Sequence, residues 1–179
     1  MDRWERELPN HWKPDIVFPL EPKPSMYANY YHAYRDAWTA RIWGHYHWAR
    51  ILVNEILVAQ LAKLEWWTLE HEAQRAKCLS TISRIASDVC TSIPSQLVYH
   101  STSFAGGEHM PNMTGVFLIL FPLAAAGGAT GVPEDLHFWV VKLLEWIGHT
   151  MGVRQALALI PRMQLRREAS KTGLKGGWC

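Results

Sequence analysis

Residues 31–56 read YHAYRDAWTARIWGHYHWARILVNEI, and the expected architecture of the chain follows from them. Tyr31, Tyr34, Trp38, Ile42, His45, Ala49, Leu52 and Ile56 recur at intervals of three and four. That is the period of one helical face. Ser25 stands where an N-cap is needed, and no proline interrupts the chain between it and Pro94. The pattern runs on through Leu61, Leu64 and Trp67, with a break or bend expected on the way. Ahead of it, Pro9, Pro14, Pro19, Pro22 and Pro24 hold the first 25 residues in extended or turn conformations. Trp4, Trp12 and Phe18 are expected to pin that arm onto the body.

Further helices follow from the same period. One covers about Glu70–Thr91 with Cys78, Ile82, Ile85, Ala86 and Val89 as its buried stripe; Gln74, Arg75 and Lys77 face solvent and Pro94 follows its end. Others cover Met113–Ala126, Pro133–Met151 and Val153–Glu168, the last kinked or broken at Pro161. Pro133 with Glu134 and Asp135 marks a helix start, and Gly152 a stop. Tyr99–Asn112 is the main loop. No strand series is present, so the expectation is all-α: five or six helices in one domain (26–168), a proline-rich arm (1–25) and a flexible basic tail (169–179).

The chain has 179 residues, 49% hydrophobic and 19% charged, which gives one globular domain with a sizeable core. A net charge of +2 does not make nucleic acid or a membrane surface the default partner. Three cysteines, Cys78, Cys90 and Cys179, supply neither a disulfide framework nor a cysteine-rich zinc site. With no apolar leader after Met1, the expected location is intracellular, cytoplasmic or nuclear. The uncharged stretch Met110–Pro133 is broken by Pro122 and Gly127–Gly128. A membrane span needs roughly 20 apolar residues in a row, so a buried core helix is expected there.

Four separated segments resemble the C-terminal regulatory region of fungal zinc-cluster transcription factors. They are Trp43-Gly44-His45-Tyr46-His47-Trp48-Ala49-Arg50-Ile51-Leu52-Val53-Asn54-Glu55, Asp88-Val89-Cys90-Thr91-Ser92-Ile93-Pro94, Leu118-Ile119-Leu120-Phe121-Pro122-Leu123, and Ile147-Gly148-His149-Thr150-Met151-Gly152-Val153-Arg154-Gln155-Ala156. Leu8-Pro9-Asn10-His11-Trp12-Lys13-Pro14 resembles the lead-in to that region. The resemblance implies a helical regulatory part. The six-cysteine module that binds DNA in such factors has no counterpart here, so direct nucleic-acid binding is not expected. Gly44 and His47 stand where the family pattern has Asn and Arg.

Ten tryptophans and nine histidines are the compositional oddity. Tyr31, Tyr34, Trp38 and His45 share one predicted face, and Tyr46 and Arg50 stand one turn apart. Two readings of this cluster stand together. It is core with satisfied polar tips, or it lines a pocket for a small apolar or aromatic molecule. In the pocket reading His45 is the acid/base candidate and Tyr34, Tyr46 and Arg50 orient polar groups. Trp38 supplies the wall, with Tyr31, Trp146 and His149 completing the lining. His109, in the loop with His100, is the other acid/base candidate, with solvated loop as its alternative. His45 and His47 point roughly 200° apart on a helix and cannot share a metal. Glu145 and His149 lack a third ligand, so no metal site is expected, and no phosphate-binding glycine motif calls for a nucleotide cofactor. Cys90 reads as core, Asp88 as paired with Arg84, and Arg162, Arg166, Arg167, Lys171 and Lys175 as a solvated basic helix end.

Two functions from different classes follow. One is a stand-alone regulatory or small-molecule-binding domain acting through a protein partner or ligand. The other is a cofactor-free enzyme of specialised metabolism, a cyclase, isomerase or dehydratase using a His acid/base. The discriminating observation is an apolar pocket of roughly 300 Å³ or more that reaches a His or Asp.

Overall fold

A computed structural model describes residues 2–21, 26–97 and 113–171. In chain order the elements are α1 (Asp2–Glu7), a 3-10 turn at Asn10–Trp12, β1 (Asp15–Val17), β2 (Tyr31–Ala33), α2 (Ala37–Leu61), α3 (Leu69–Leu97), α4 (Met113–Gly128), α5 (Glu134–Thr150) and α6 (Arg154–Lys171). The domain is all-α apart from one antiparallel pair, β1 with β2, in which Ile16 faces His32. That pair corrects two expectations. Tyr31–Ala33 is strand rather than helix, because Asp15–Val17 of the arm supplies its backbone partners. Helix α2 accordingly begins at Ala37, where the Asp36 carboxylate accepts the Thr39 amide at 2.7 Å as an N-cap.

The core gathers on α3, α4 and α5. Ile82, Ile85, Val89 and Ile93 meet Val116, Ile119, Leu120 and Leu123, and Leu136, Val140, Leu144 and Ile147 close it from α5. The predicted stripe of α3 is buried as expected. The helix nevertheless runs through Pro94 to Leu97 rather than stopping before it. Pro94 and Leu97 are both buried, and the Ser92 and Ser95 hydroxyls donate to the Val89 and Ser92 carbonyls at 2.6 and 2.8 Å. Burial and local hydroxyl bonds thus offset the amide that proline lacks.

Helix α4 carries no charge yet is buried on one side only, for Phe117 and Phe121 are 51% and 45% exposed. No helix among the described residues is long and apolar enough to cross a membrane. Gly152, at φ 74°, turns the chain from α5 into α6. Helix α6 runs unbroken through Pro161 to Lys171, so residues 169–171 are helical rather than a flexible tail. Its basic residues are not all solvated either. Arg166 pairs with Glu55 of α2, and Arg167 donates to the Val132 carbonyl at 3.1 Å.

The largest correction is the rotation of α2. Its buried residues are Thr39, Ala40, Trp43, His47, Arg50, Ile51 and Val58. The stripe read as internal faces outward: His45 and Ala49 are exposed, Trp38 is 63% exposed and Ile56 49%. Apolar residues lie almost all the way round this helix, so their spacing does not select a face. Packing selects it, and Gly44 faces the ring of Pro122 on α4.

Candidate functional site

The polar residues on the inner face of α2 meet the N-terminal arm. Trp4 of α1 lies against Tyr46 and Trp43, with ring centroids 4.5 and 5.7 Å apart. Trp43 Nε1 donates to the Trp12 carbonyl at 2.7 Å. Trp4 and Trp12 therefore do pin the arm, whereas Phe18 is exposed and contacts only the ring of Tyr30 among the described aromatic pairs. Glu5 accepts from Arg50 Nη1 at 2.5 Å, and the Arg50 side chain is only 4% exposed. The same nitrogen reaches Tyr46 Oη at 3.3 Å. Burial raises the Tyr46 pKa, and Glu5 adds to that rise.

Beside this ion pair, Glu5, Pro14, His32, Trp43, His47, Arg84 and Asp88 line a cavity of about 120 Å³. Strand β2 brings His32, and α3 brings Arg84 and Asp88, whose Nη1 and Oδ2 are 3.1 Å apart. The Thr91 hydroxyl donates to the Ser87 or Asp88 carbonyl at 3.1 Å, leaving its oxygen to accept from His32 Nδ1 at 3.4 Å. Burial lowers the His32 pKa while Asp88 opposes the fall. Burial also raises Asp88, with His32 and Arg84 opposing. His47 is pushed down to about 3 by burial, with His32, Arg84 and Arg50 adding to the effect. It is a neutral imidazole at pH 7, and its Nδ1 has no partner among the described residues. The Tyr34 hydroxyl is likewise enclosed without a partner there, and burial followed by Asp88 raises its pKa well above the phenol range.

A space of this size has room for roughly four waters at about 30 Å³ each. It is below the roughly 300 Å³ at which small-molecule pockets begin, and charged groups and imidazoles line it together with Trp43 and Pro14. His32 and Asp88 supply a base and an acid, but the hydroxyl beside them, that of Thr91, is engaged by helix carbonyls. Cys90 is fully buried and its thiol is pushed up by burial. No group of three potential metal ligands occurs among the described residues.

The residues named from sequence scatter. Tyr34, Tyr46 and Arg50 belong to this arm–helix junction. Tyr31 lies half-buried in β2. His45 does not point inward: it is exposed on the far face, its Nδ1 2.8 Å from the Arg41 carbonyl. Trp38 faces solvent under the Arg41 guanidinium, 5.2 Å from the ring centroid. Trp146 and His149 are exposed on α5, and Glu145 pairs with Lys142 rather than with His149. His109, His100 and the rest of the loop lie outside the described residues. Glu5, His32 and His47 are the site residues that sequence reasoning misses. His47 carries a signal, since it stands one turn after Trp43 and one turn before Arg50 on a single face of α2. Glu5 and His32 are brought in from distant sequence.

Sequence comparison relates the chain to a fungal transcription factor. The chain is 25% identical over 178 residues to "Transcription factor dbaG" of Emericella nidulans, a match covering 90% of this chain and 41% of that protein. The chain thus spans about two-fifths of the length of the curated relative it matches. No family model matches the chain. No solved structure matches it significantly.

Proposed function

We propose that this chain is a helical regulatory domain similar to the C-terminal region of fungal zinc-cluster transcription factors, acting through a protein partner in the cytoplasm or nucleus without itself binding DNA. The observation that carries the reading is the similarity to a transcription factor along nine-tenths of the chain. The motif around Arg50 supports it, because Arg50, Asn54 and Glu55 each hold parts of the fold together. Asn54 Nδ2 donates to the Arg50 carbonyl at 2.8 Å, and Glu55 accepts the Thr130 amide at 3.1 Å while pairing with Arg166. A polar motif devoted to holding arm, α2 and α6 together favours a scaffold over a catalyst. The small volume of the cavity favours it too.

The test is binding in solution. The purified chain, mixed with a full-length zinc-cluster factor, is expected to co-elute with it and to leave a random-sequence DNA duplex unshifted at physiological salt. Sequence-selective retention of DNA by the chain alone would contradict the reading, as would turnover of a small molecule by the chain without any protein partner.

A further inference from the structure

The outward stripe of α2 is the feature the regulatory reading leaves unused. Trp38, Ile42, His45, Ala49, Leu52 and Ile56 run along it for about 27 Å at 1.5 Å per residue. None of the six carries a formal charge with His neutral. Trp48 joins the stripe to α4, its ring stacked on Phe121 with centroids 5.9 Å apart and planes at 18°. Phe117, one turn before Phe121, extends the apolar surface, and α4 has no charged residue at all. A helix apolar on all sides belongs in an interior, yet one side of this one faces solvent.

We infer that this face is a two-fold interface between two copies of the chain, with the α2 helices crossing antiparallel between His45 and Ala49. The order of residues favours a second copy. Under a two-fold axis placed there, Trp38 of one copy meets Ile56 of the other, Ile42 meets Leu52, and the His45 ring meets the small Ala49. Each large apolar group finds another, and the one polar ring is given room. Such self-complementarity is what an isologous contact requires. Beside the stripe Arg41 is exposed, its guanidinium 5.2 Å from the Trp38 ring centroid, and under the same axis it meets Val53 of the other copy rather than a second charge. The area agrees. Taking roughly 200 Å² for an aromatic side chain and somewhat less for an aliphatic one, the exposed parts of Trp38, Phe117, Phe121, Val53 and Ile56 come to about 450 Å². The exposed His45 and Ala49 and the half-buried Ile42, Trp48 and Leu52 add to that. A stable interface uses about 800 Å² per partner, and exposed patches of this kind mark interaction sites. The inference stands apart from the regulatory reading and does not rest on it.

Light scattering on the size-fractionated full chain tests it. The expected mass is twice the 20.5 kDa of one chain. Ala49→Arg, at an exposed position, is expected to halve the mass, weakening association by about 100-fold through two guanidinium groups brought to one apolar seam. Circular dichroism should be unchanged. A second measurement covers the case in which that variant loses helix. In a Cys179→Ser background, His45→Cys and Ala49→Cys chains mixed in equal amounts should form a disulfide-linked pair on mild oxidation, and neither chain alone should do so as fully. A wild-type mass of one chain at about 100 µM, where even weak specific pairs assemble, overturns the inference. So does an Ala49→Arg chain that stays dimeric, or an equal mixture that fails to cross-link.

Discussion

Arg50 and His47 lie on one buried face of α2 and meet burial in opposite ways. Arg50 keeps its charge by pairing with Glu5, while His47 gives up its proton. Removing Glu5 takes the carboxylate away from a charge that the fold has already taken out of water. Glu5→Ala is therefore expected to cost about 3 kcal/mol, as breaking a buried pair usually does, read as a shift of the urea midpoint. His47 makes stability depend on pH with a definite sign. Its folded pKa of about 3 lies below the ordinary imidazole value, so between those limits the unfolded chain holds more protons. Stability contributed by neutral His47 is complete above about pH 6.5 and is lost as pH falls toward 3, with a slope of at most about 1.4 kcal/mol per pH unit. His32 acts in the same sense. Asp88 acts in the opposite one, since its raised pKa lets the native state hold a proton longer as pH rises. Urea midpoints at about pH 7 and pH 4.5, on either side of the ordinary imidazole pKa, check this: wild type should lose more stability between them than His47→Gln does. Equal losses would contradict the assignment. Tyr46 and Arg50 are legible from sequence because they stand one turn apart on one helix. Glu5 and His32 are not, because nothing local ties residues of the arm to α2 or α3.

At the level of elements, spacing finds the helices but not their rotation. The stripe of α3 is readable because its opposite face is polar, at Gln74 and Lys77. Helix α2 offers no such contrast, and its orientation comes from Gly44 against Pro122 and from the polar groups that the arm satisfies. Proline misleads at Pro94, where tertiary burial outweighs one lost hydrogen bond, and exposed Pro161 does not break α6. Two predictions belong here. Glu55 binds α2 to the Thr130 amide and to Arg166, whose own pKa burial pushes down to about 10. Glu55→Ala should cost about 3 kcal/mol and speed amide hydrogen exchange in α6 ahead of α3. Gly127 sits where α4 meets α5 and α6: a Cβ there would lie 2.7 Å from both Val140 Cγ1 and Met163 Sδ. Gly127→Ala gains helix propensity worth about 1 kcal/mol but overpacks a stiff valine at a cost of about 1–3 kcal/mol. A lowered melting temperature is expected, and a raised one would refute the close approach.

For the whole molecule, the fold class is readable because helical periods recur from end to end. The short β1–β2 pair is not, since three-residue strands have no period to detect. The aromatic wealth read as core or pocket is divided instead between an arm clamp at Trp4, Trp12, Trp43 and Tyr46 and an outward face at Trp38, Trp48, Phe117 and Phe121. Under the regulatory proposal the outward face is where a partner would meet the chain. The direct measurement is a reporter assay in a fungal nucleus, with the chain fused to an unrelated DNA-binding module whose site lies upstream of the reporter. The account predicts that reporter output changes when the fusion is bound, and that Glu5→Ala, which loosens the arm, reduces the change. Output identical to that of the bare module, with the fusion present at equal abundance, would contradict a regulatory role.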